Sequence, residues 1–162
     1  MQLILIVPDI LESHDALRGM EVTALATAFG TCFDELLVLG PNSGVADRFT
    51  AVFAGLGGRV TWITGEGRSR EVDAADAVLC YPGGISTWHA LFGLLTPSVE
   101  HANRPRPPVY LYSWEKFYAP FILQIHTALA RGLMTEQGVS SIIPFESIEA
   151  LLSLLGGMQR GG

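Results

Sequence analysis

The sequence predicts an α/β fold, a doubly wound three-layer sandwich built on a mainly parallel sheet of about six strands. Several short runs are almost entirely apolar, which is typical of strands buried on both faces. Longer segments between them repeat apolar residues at helical spacing. The two kinds of segment alternate along the chain, and right-handed crossovers then place helices on both faces of the sheet. Such a layer is Rossmann-like.

The strands are predicted where the apolar runs lie. These runs cover residues 3–7, 36–39, 60–63, 77–81, 109–112 and 140–143. Pro8 and Asp9 end the first run, and Pro82 ends the fourth. In a parallel sheet of this kind ligands bind at the carboxyl ends of the strands. The loops after the first five strands are therefore where functional residues are expected.

The helices are predicted from apolar periodicity and from their end signals. They cover residues 15–29, 45–56, 88–95, 120–131 and 148–155. Gly30, Gly132 and the pair Gly156–Gly157 are expected to end helices, and Pro120 suits the first position of its helix. We expect residues 1–157 to form one domain and residues 158–162 to be a disordered tail.

Composition excludes several classes of function. The chain has 162 residues, of which 49% are hydrophobic and 16% charged, and its net charge of −6 argues against nucleic-acid or membrane partners. The first apolar run is short and lacks a basic flank, so it predicts a strand and not a signal peptide. Cys32 and Cys80 have neither metal-ligand nor disulfide-framework spacing. We therefore expect reduced thiols, no metal, no cofactor and a cytoplasmic location.

One stretch combines a strand, a glycine turn and a helix start within twenty residues. After the fourth strand, Pro82, Gly83 and Gly84 make the turn, and Ser86 or Thr87 is expected to cap a helix that begins near Trp88. Unpaired backbone N–H groups at a helix N-terminus favour a phosphate.

The predicted phosphate-binding residues of this stretch are Gly83, Gly84, Ile85, Ser86 and Thr87. The alternative is an ordinary tight turn with a helix cap.

Two further loops at the same edge carry candidate groups. Asn42, Ser43 and Gly44 open the helix after the second strand and could face an anion, or could simply cap that helix. Arg68 and Arg70 follow the third strand and could bind a phosphate bidentately, with a solvated loop as the alternative.

The glycine turn resembles a family signature. Residues 82–87, Pro-Gly-Gly-Ile-Ser-Thr, are similar to the Pro-Gly-Gly-x-Gly-Thr-x-x-Glu motif of the LONELY GUY (LOG) family, often labelled "possible lysine decarboxylase". Residues 39–46, 57–60, 106–109, 117–120 and 132–134 resemble further segments of that family. The resemblance implies a Rossmann-like fold, a homodimer and phosphoribohydrolase activity on nucleoside 5′-monophosphates.

The departures from this signature bear on catalysis. Ser86 replaces the third glycine, and Ala90 stands where the family has its glutamate. The resemblance implies that this carboxylate is catalytic. A nearby negative charge would stabilise an oxocarbenium-like transition state, as in glycosidases. His89 beside it could act as an acid or base, together with Arg68 or Arg70, and Asp9 or Glu115 could replace the carboxylate.

The sequence thus predicts a nucleotide-phosphate-binding protein of the LOG-like class with an eroded or altered catalytic site. The first alternative is an active phosphoribohydrolase, and the second is a non-enzymatic assembly module. A dinucleotide dehydrogenase is disfavoured because no G-x-G-x-x-G follows the first strand. Lysine decarboxylation is disfavoured because Lys116, the only lysine, has no recognisable pyridoxal-phosphate context.

Bulky side chains after the fourth and fifth strands favour a homodimer interface. They are Trp88, Leu91, Phe92, Leu95, Trp114, Phe117, Tyr118 and Phe121.

Overall fold

A computed structural model describes residues 1–7, 16–40, 43–63, 74–95, 106–134 and 136–158 of the chain. Within them six strands form one sheet in the order β3-β2-β1-β4-β5-β6, and every pairing is parallel. The strands are β1 (Gln2–Ile6), β2 (Glu35–Leu39), β3 (Arg59–Ile63), β4 (Ala77–Cys80), β5 (Val109–Tyr112) and β6 (Ile142–Phe145). This confirms the predicted fold class. The strand order reverses between β1 and β4, which makes their carboxyl ends the switch point of the sheet.

Helices follow the strands as the alternation predicts. They are α1 (Ala16–Gly30), α2 (Gly44–Gly55), α3 (Ile85–Leu95), α4 (Ala119–Ala130), α5 (Glu136–Val139) and α6 (Ile148–Met158). A short 3₁₀ turn, Trp114–Lys116, lies between β5 and α4. Neither this turn nor α5 is predicted from the sequence, because neither is long enough to show a period.

The core lies in two layers, one on each face of the sheet. Leu3 and Leu5 of β1 belong to the layer that includes α1, α2 and α6, whereas Ile4 and Ile6 belong to the layer that includes α3 and α4. Successive residues of a strand point to opposite faces, so a continuous apolar run fills both layers. The three-layer arrangement follows directly from these runs.

The predicted start of α3 is wrong. The helix begins at Ile85, and the carbonyl of Gly84 accepts the Trp88 N–H at 3.1 Å, so Gly84 is the N-cap residue. Ser86 and Thr87 therefore lie inside the first turn and do not cap it. Serine and threonine are preferred caps, but glycine is accepted at that position too, and the sequence alone cannot rank them.

Two other boundaries differ from the sequence prediction near prolines. β6 begins two residues later than expected and contains Pro144, which an edge strand tolerates because one side of it has no partner strand. Pro120 is the second and not the first residue of α4.

The end of the last helix also differs from the prediction. α6 continues through the Gly156–Gly157 pair to Met158, and the rest of the expected tail lies outside the described residues.

Gly40, directly after β2, is required by the fold itself. Its φ of +132° is a conformation that side chains avoid, and a Cβ there would lie 2.8 Å from Val7 Cγ2 and 2.9 Å from the Val7 carbonyl oxygen. The Val7 N–H donates to the Leu39 carbonyl at 3.1 Å, so the two chain segments are held together at this point. The close approach fixes the spacing of β1 and β2 at the carboxyl edge.

We expect Gly40→Ala to lower the free energy of unfolding by at least about 2 kcal/mol, because it combines backbone strain with a steric clash. Urea unfolding followed by circular dichroism measures this loss. Gly57 has a φ of +92° but open space around it, so Gly57→Ala should cost only about 1 kcal/mol. If Gly40→Ala and Gly57→Ala lowered the free energy of unfolding equally, the contact between Gly40 and Val7 would not contribute to the difference that we expect.

Candidate functional site

The glycine turn lies at the switch point of the sheet. The Tyr81 N–H donates to the Ile6 carbonyl at 3.0 Å, which extends the β1–β4 pairing by one residue before the chain leaves the sheet. Pro82, Gly83 and Gly84 then lead into α3. The first turn of α3 therefore begins beside the carboxyl ends of the two central strands, where folds of this kind bind ligands.

The first turn of α3 presents unpaired backbone donors. Because Gly84 is the N-cap, the N–H groups of Ile85, Ser86 and Thr87 precede the first intrahelical hydrogen bond. The positive end of the helix dipole lies at the same place. Three N–H groups and a partial positive charge together suit an oxyanion.

Thr87 adds an unpaired side-chain oxygen to this turn. Its side chain is only 2% exposed, and its Oγ1 has no hydrogen-bond partner. Among the described residues only Ser141 shares this condition, and it lies at the other edge of the sheet, before β6. A buried, unpaired hydroxyl destabilises the folded state by about 1–3 kcal/mol, so its presence calls for a physical reason.

Gly84 leaves open space in front of the turn. A Cβ at this position would meet no atom within 4 Å, and Gly84 does not have the left-handed conformation that requires glycine. Neighbouring Ile85 is 88% exposed and Ser86 is exposed as well. The surface beside the unpaired N–H groups is therefore accessible to a ligand.

The second candidate helix end is capped by its own side chain. Ser43 is the N-cap of α2, with φ −139° and ψ 159°, and its Oγ accepts the Ala46 N–H at 3.3 Å. Gly44 opens the helix with no atom near a Cβ position. Asn42 lies outside the described residues. Since the Ser43 hydroxyl already accepts the Ala46 N–H, the start of α2 has fewer unpaired donors for an anion than the start of α3.

A tyrosine that the sequence analysis did not assign to the site holds the strand before the glycine turn. The hydroxyl of Tyr118, at the start of α4, donates to the Tyr81 carbonyl at 2.9 Å. Cys80 Sγ lies 3.1 Å from the same hydroxyl, and because the single Tyr118 proton is used on Tyr81, the thiol donates. In the sequence, the only sign of this role was the hydroxyl group of Tyr118, which stands among bulky side chains predicted to form a dimer interface.

Burial explains the protonation of this buried pair. Desolvation raises the pKa of the Cys80 thiol to about 12, and the Tyr118 hydrogen bond opposes this only in part. Desolvation also raises the pKa of Tyr118, with Cys80 adding to the shift. Both groups are therefore neutral near pH 7, which makes them structural hydrogen-bonding groups and not nucleophiles.

Aromatic packing connects α3 to the turn after β5. The Trp88 ring lies 5.6 Å from the Tyr118 ring, 6.3 Å from Phe117 and 5.2 Å from Phe121, measured between centroids. Because Trp88 directly follows Thr87, these contacts hold the first turn of α3 against the loop between β5 and α4.

The structure describes three of the predicted catalytic positions, His89, Ala90 and Glu115. His89 is exposed, and it lies two positions after Thr87, roughly 200° around the helix. Ala90 packs against the second core layer. Glu115 is exposed on the turn after β5.

Three other predicted residues cannot be placed in the site. Arg68, Arg70 and Asp9 lie outside the described residues.

The described part of the chain contains neither a cluster of metal-ligating side chains nor a membrane-spanning helix. No group of three or more His, Cys, Asp or Glu side chains there could hold a metal ion. None of its helices has the length and apolar character needed to cross a membrane.

Comparison with known proteins identifies a family. The family model described as "Possible lysine decarboxylase" matches residues 64–155, which is more than half of the chain. The matched segment includes the glycine turn, α3, and the turn between β5 and α4. No curated protein gave a match to the chain.

We expect thiol reagents to label Cys32 in the folded protein and to leave Cys80 unlabelled at pH 8. Cys32 is partly exposed, whereas Cys80 is buried and its raised pKa keeps it protonated. Mass spectrometry of peptides after alkylation measures both sites, and unfolding in urea should expose Cys80. Rapid labelling of Cys80 without urea would contradict the buried hydrogen bond to Tyr118.

Proposed function

The chain belongs to the possible lysine decarboxylase family, and we propose that it binds the phosphate of a nucleotide at the first turn of α3. In this proposal the protein is of the LOG-like class, and its catalytic site is eroded or altered. The family match supports a nucleotide-related function on the Rossmann-like fold. The binding residues are Gly83, Gly84, Ile85, Ser86 and Thr87.

The observation that carries the proposal is the unpaired hydroxyl of Thr87. It lies in a turn that also offers three N–H groups without intrahelical partners, next to the open space at Gly84. A phosphate has enough acceptor oxygens to bind all of these donors. Threonine in helices adopts two χ1 rotamers, so rotation about one bond can turn the buried hydroxyl toward a ligand. The cost of the unpaired group is then offset when ligand binds.

Loss of the family glutamate supports binding over hydrolysis. The side chain at this position is the methyl group of Ala90, packed toward the core, and His89 is exposed and points away from the Thr87 side of the helix. An oxocarbenium-like transition state would lack the negative charge that glycosidases supply. The alternative of an active phosphoribohydrolase would depend on Arg68 or Arg70 with a substitute acid. Release of free base from AMP would favour that alternative.

The decarboxylase in the family description is not the activity we propose. Lys116, the only lysine of the sequence, is exposed on a turn. Lysines that form Schiff bases are activated by desolvation or by a neighbouring cation. The exposed turn provides no desolvation.

A homodimer is the assembly we propose. Phe92 on α3 is 52% exposed and Phe117 before α4 is 41% exposed, and both rings contact Trp88. Leu91, Tyr118 and other members of the predicted stripe are buried within the chain and cannot contact a partner.

We also propose a reducing compartment such as the cytoplasm, because Cys32 and Cys80 form no disulfide bond.

Thr87→Val should stabilise the free protein and weaken ligand binding. Valine has nearly the same shape, so removing the unpaired hydroxyl should raise the free energy of unfolding by about 1 kcal/mol. The same change removes a hydrogen bond to a charged phosphate, so the Kd for AMP should rise about tenfold. Urea unfolding and isothermal titration calorimetry measure the two effects.

Thr87→Ser is the matched control, because it keeps the hydroxyl and loses a buried methyl group. We expect it to bind AMP like the unmodified protein while being less stable. If millimolar AMP and inorganic phosphate both fail to bind the unmodified protein, the proposed function is wrong. If Thr87→Val binds as well as Thr87→Ser, the hydroxyl takes no part in binding.

Phe92→Glu tests the proposed dimer. A charge in the centre of an apolar contact is expensive to bury, so the variant should sediment as a monomer where the unmodified protein sediments as a dimer. Leu123 is also exposed, at 68%, but lies further along α4, and Leu123→Glu serves as the surface control. Unchanged sedimentation of Phe92→Glu would place the interface elsewhere.

A further inference from the structure

We propose that Lys116 is a ligand-binding residue whose ammonium group contacts the phosphate bound at the first turn of α3. This inference rests on the proposed function, and it adds a charged residue from a different element to that site.

Lys116 has a backbone conformation that disfavours lysine. Its φ is +62°, and the preceding Glu115 has φ +48° and ψ +31°. Among the described residues these two are the only non-glycine residues with positive φ. The left-handed region is unfavourable for any residue with a Cβ, and glycine would adopt it without penalty. Strained residues of this kind concentrate at functional sites.

Buried residues on both sides hold the turn in this conformation. Ser113 is 3% exposed, and its N–H donates to the Phe145 carbonyl at 2.7 Å. Its carbonyl accepts the Lys116 N–H at 2.9 Å, and its Oγ accepts the Tyr118 N–H at 3.1 Å. Tyr118 in turn donates its hydroxyl to the Tyr81 carbonyl. The strain is therefore imposed by the surrounding structure and does not come from the exposed residues themselves.

The turn lies beside the proposed phosphate site. It follows β5, which pairs with β4, and both strands end at the same edge of the sheet. Phe117, the next residue after Lys116, packs its ring 6.3 Å from that of Trp88, the next residue after Thr87. A lysine side chain is long and flexible, so from this neighbouring turn its ammonium group can extend toward a ligand at the start of α3.

The first turn of α3, Ile85 to Thr87, carries no charged side chain of its own, so a cation that contacts a phosphate there must come from elsewhere in the chain. The chain carries a net charge of −6, so no general basic surface attracts an anion. Arg59 is the first residue of β3 and Arg106 precedes β5, so both lie at the opposite edge of the sheet. Arg48 lies on α2, which packs on the other face of the sheet from α3. Lys116 forms no ion pair with any described residue, and Glu115 beside it likewise forms none. Its ammonium group is thus available to a phosphate.

Lys116→Gly separates a binding role from a structural one. Glycine relieves the strain, so the melting temperature should rise. The ammonium group is lost, so the Kd for AMP should rise about tenfold. Lys116→Arg should retain most of the affinity because it keeps the charge. Glu115→Gly is the matched control, since it relieves the neighbouring strain, and it should raise the melting temperature without weakening AMP binding.

Salt dependence supplies a second measurement. Binding to the unmodified protein should weaken more steeply between low and high salt than binding to Lys116→Gly, because one charge contact is removed. If the unmodified protein binds AMP and Lys116→Gly binds equally well, the inference is wrong and the proposed function stands. If Lys116→Gly lowers the melting temperature, the residue is structural and the inference is also wrong. If the unmodified protein binds neither AMP nor inorganic phosphate, both proposals fail.

Discussion

Burial of both faces of the central strands is the constraint on which the rest of this structure depends. The four residues of β1 from Leu3 to Ile6 are at most 1% exposed, and every residue of β4 is fully buried. Polar side chains cannot be accommodated there without partners. Within the central strands, polar and charged groups can therefore be placed only at the strand ends. Parallel pairing brings all carboxyl ends to one edge, so the turns that follow β4 and β5 both begin there.

At that edge several local features lower the stability of the folded state. Thr87 buries an unpaired hydroxyl, and Glu115 and Lys116 adopt left-handed backbone conformations. Other hydroxyl groups are satisfied: Ser43 caps α2, and Tyr118 is hydrogen-bonded although it is fully buried. Among the described residues Ser141, before β6, is the other exception. Natural proteins are only marginally stable, so local costs of this size persist where function requires them. Their grouping around one helix start is consistent with a binding site.

The sequence predicted the presence of strands and helices better than the residues at which they begin and end. Long apolar runs such as those of β1 and β5 are recognisable because burial on both faces demands continuous hydrophobicity. The start of α3 was misplaced by three residues because glycine, serine and threonine are all acceptable caps. The predicted β6 began and ended two residues too early, because a proline such as Pro144 usually ends a strand. The edge position of β6 in the sheet permits this proline. Local preferences of this kind are decided by tertiary contacts.

By itself, the sequence determined the fold class, the parallel sheet and the position of the glycine turn at a strand end. These depend on apolar periodicity and on turn residues, which are local properties. Only the tertiary structure decided that Thr87 is buried and unpaired, that Tyr118 holds the carbonyl of Tyr81, and that the turn at Lys116 packs beside α3. Each of these joins residues that are distant in sequence or sets a backbone angle through its surroundings. No local pattern encodes such contacts, because they arise when β4 and β5 pair and α3 and α4 pack on the same face.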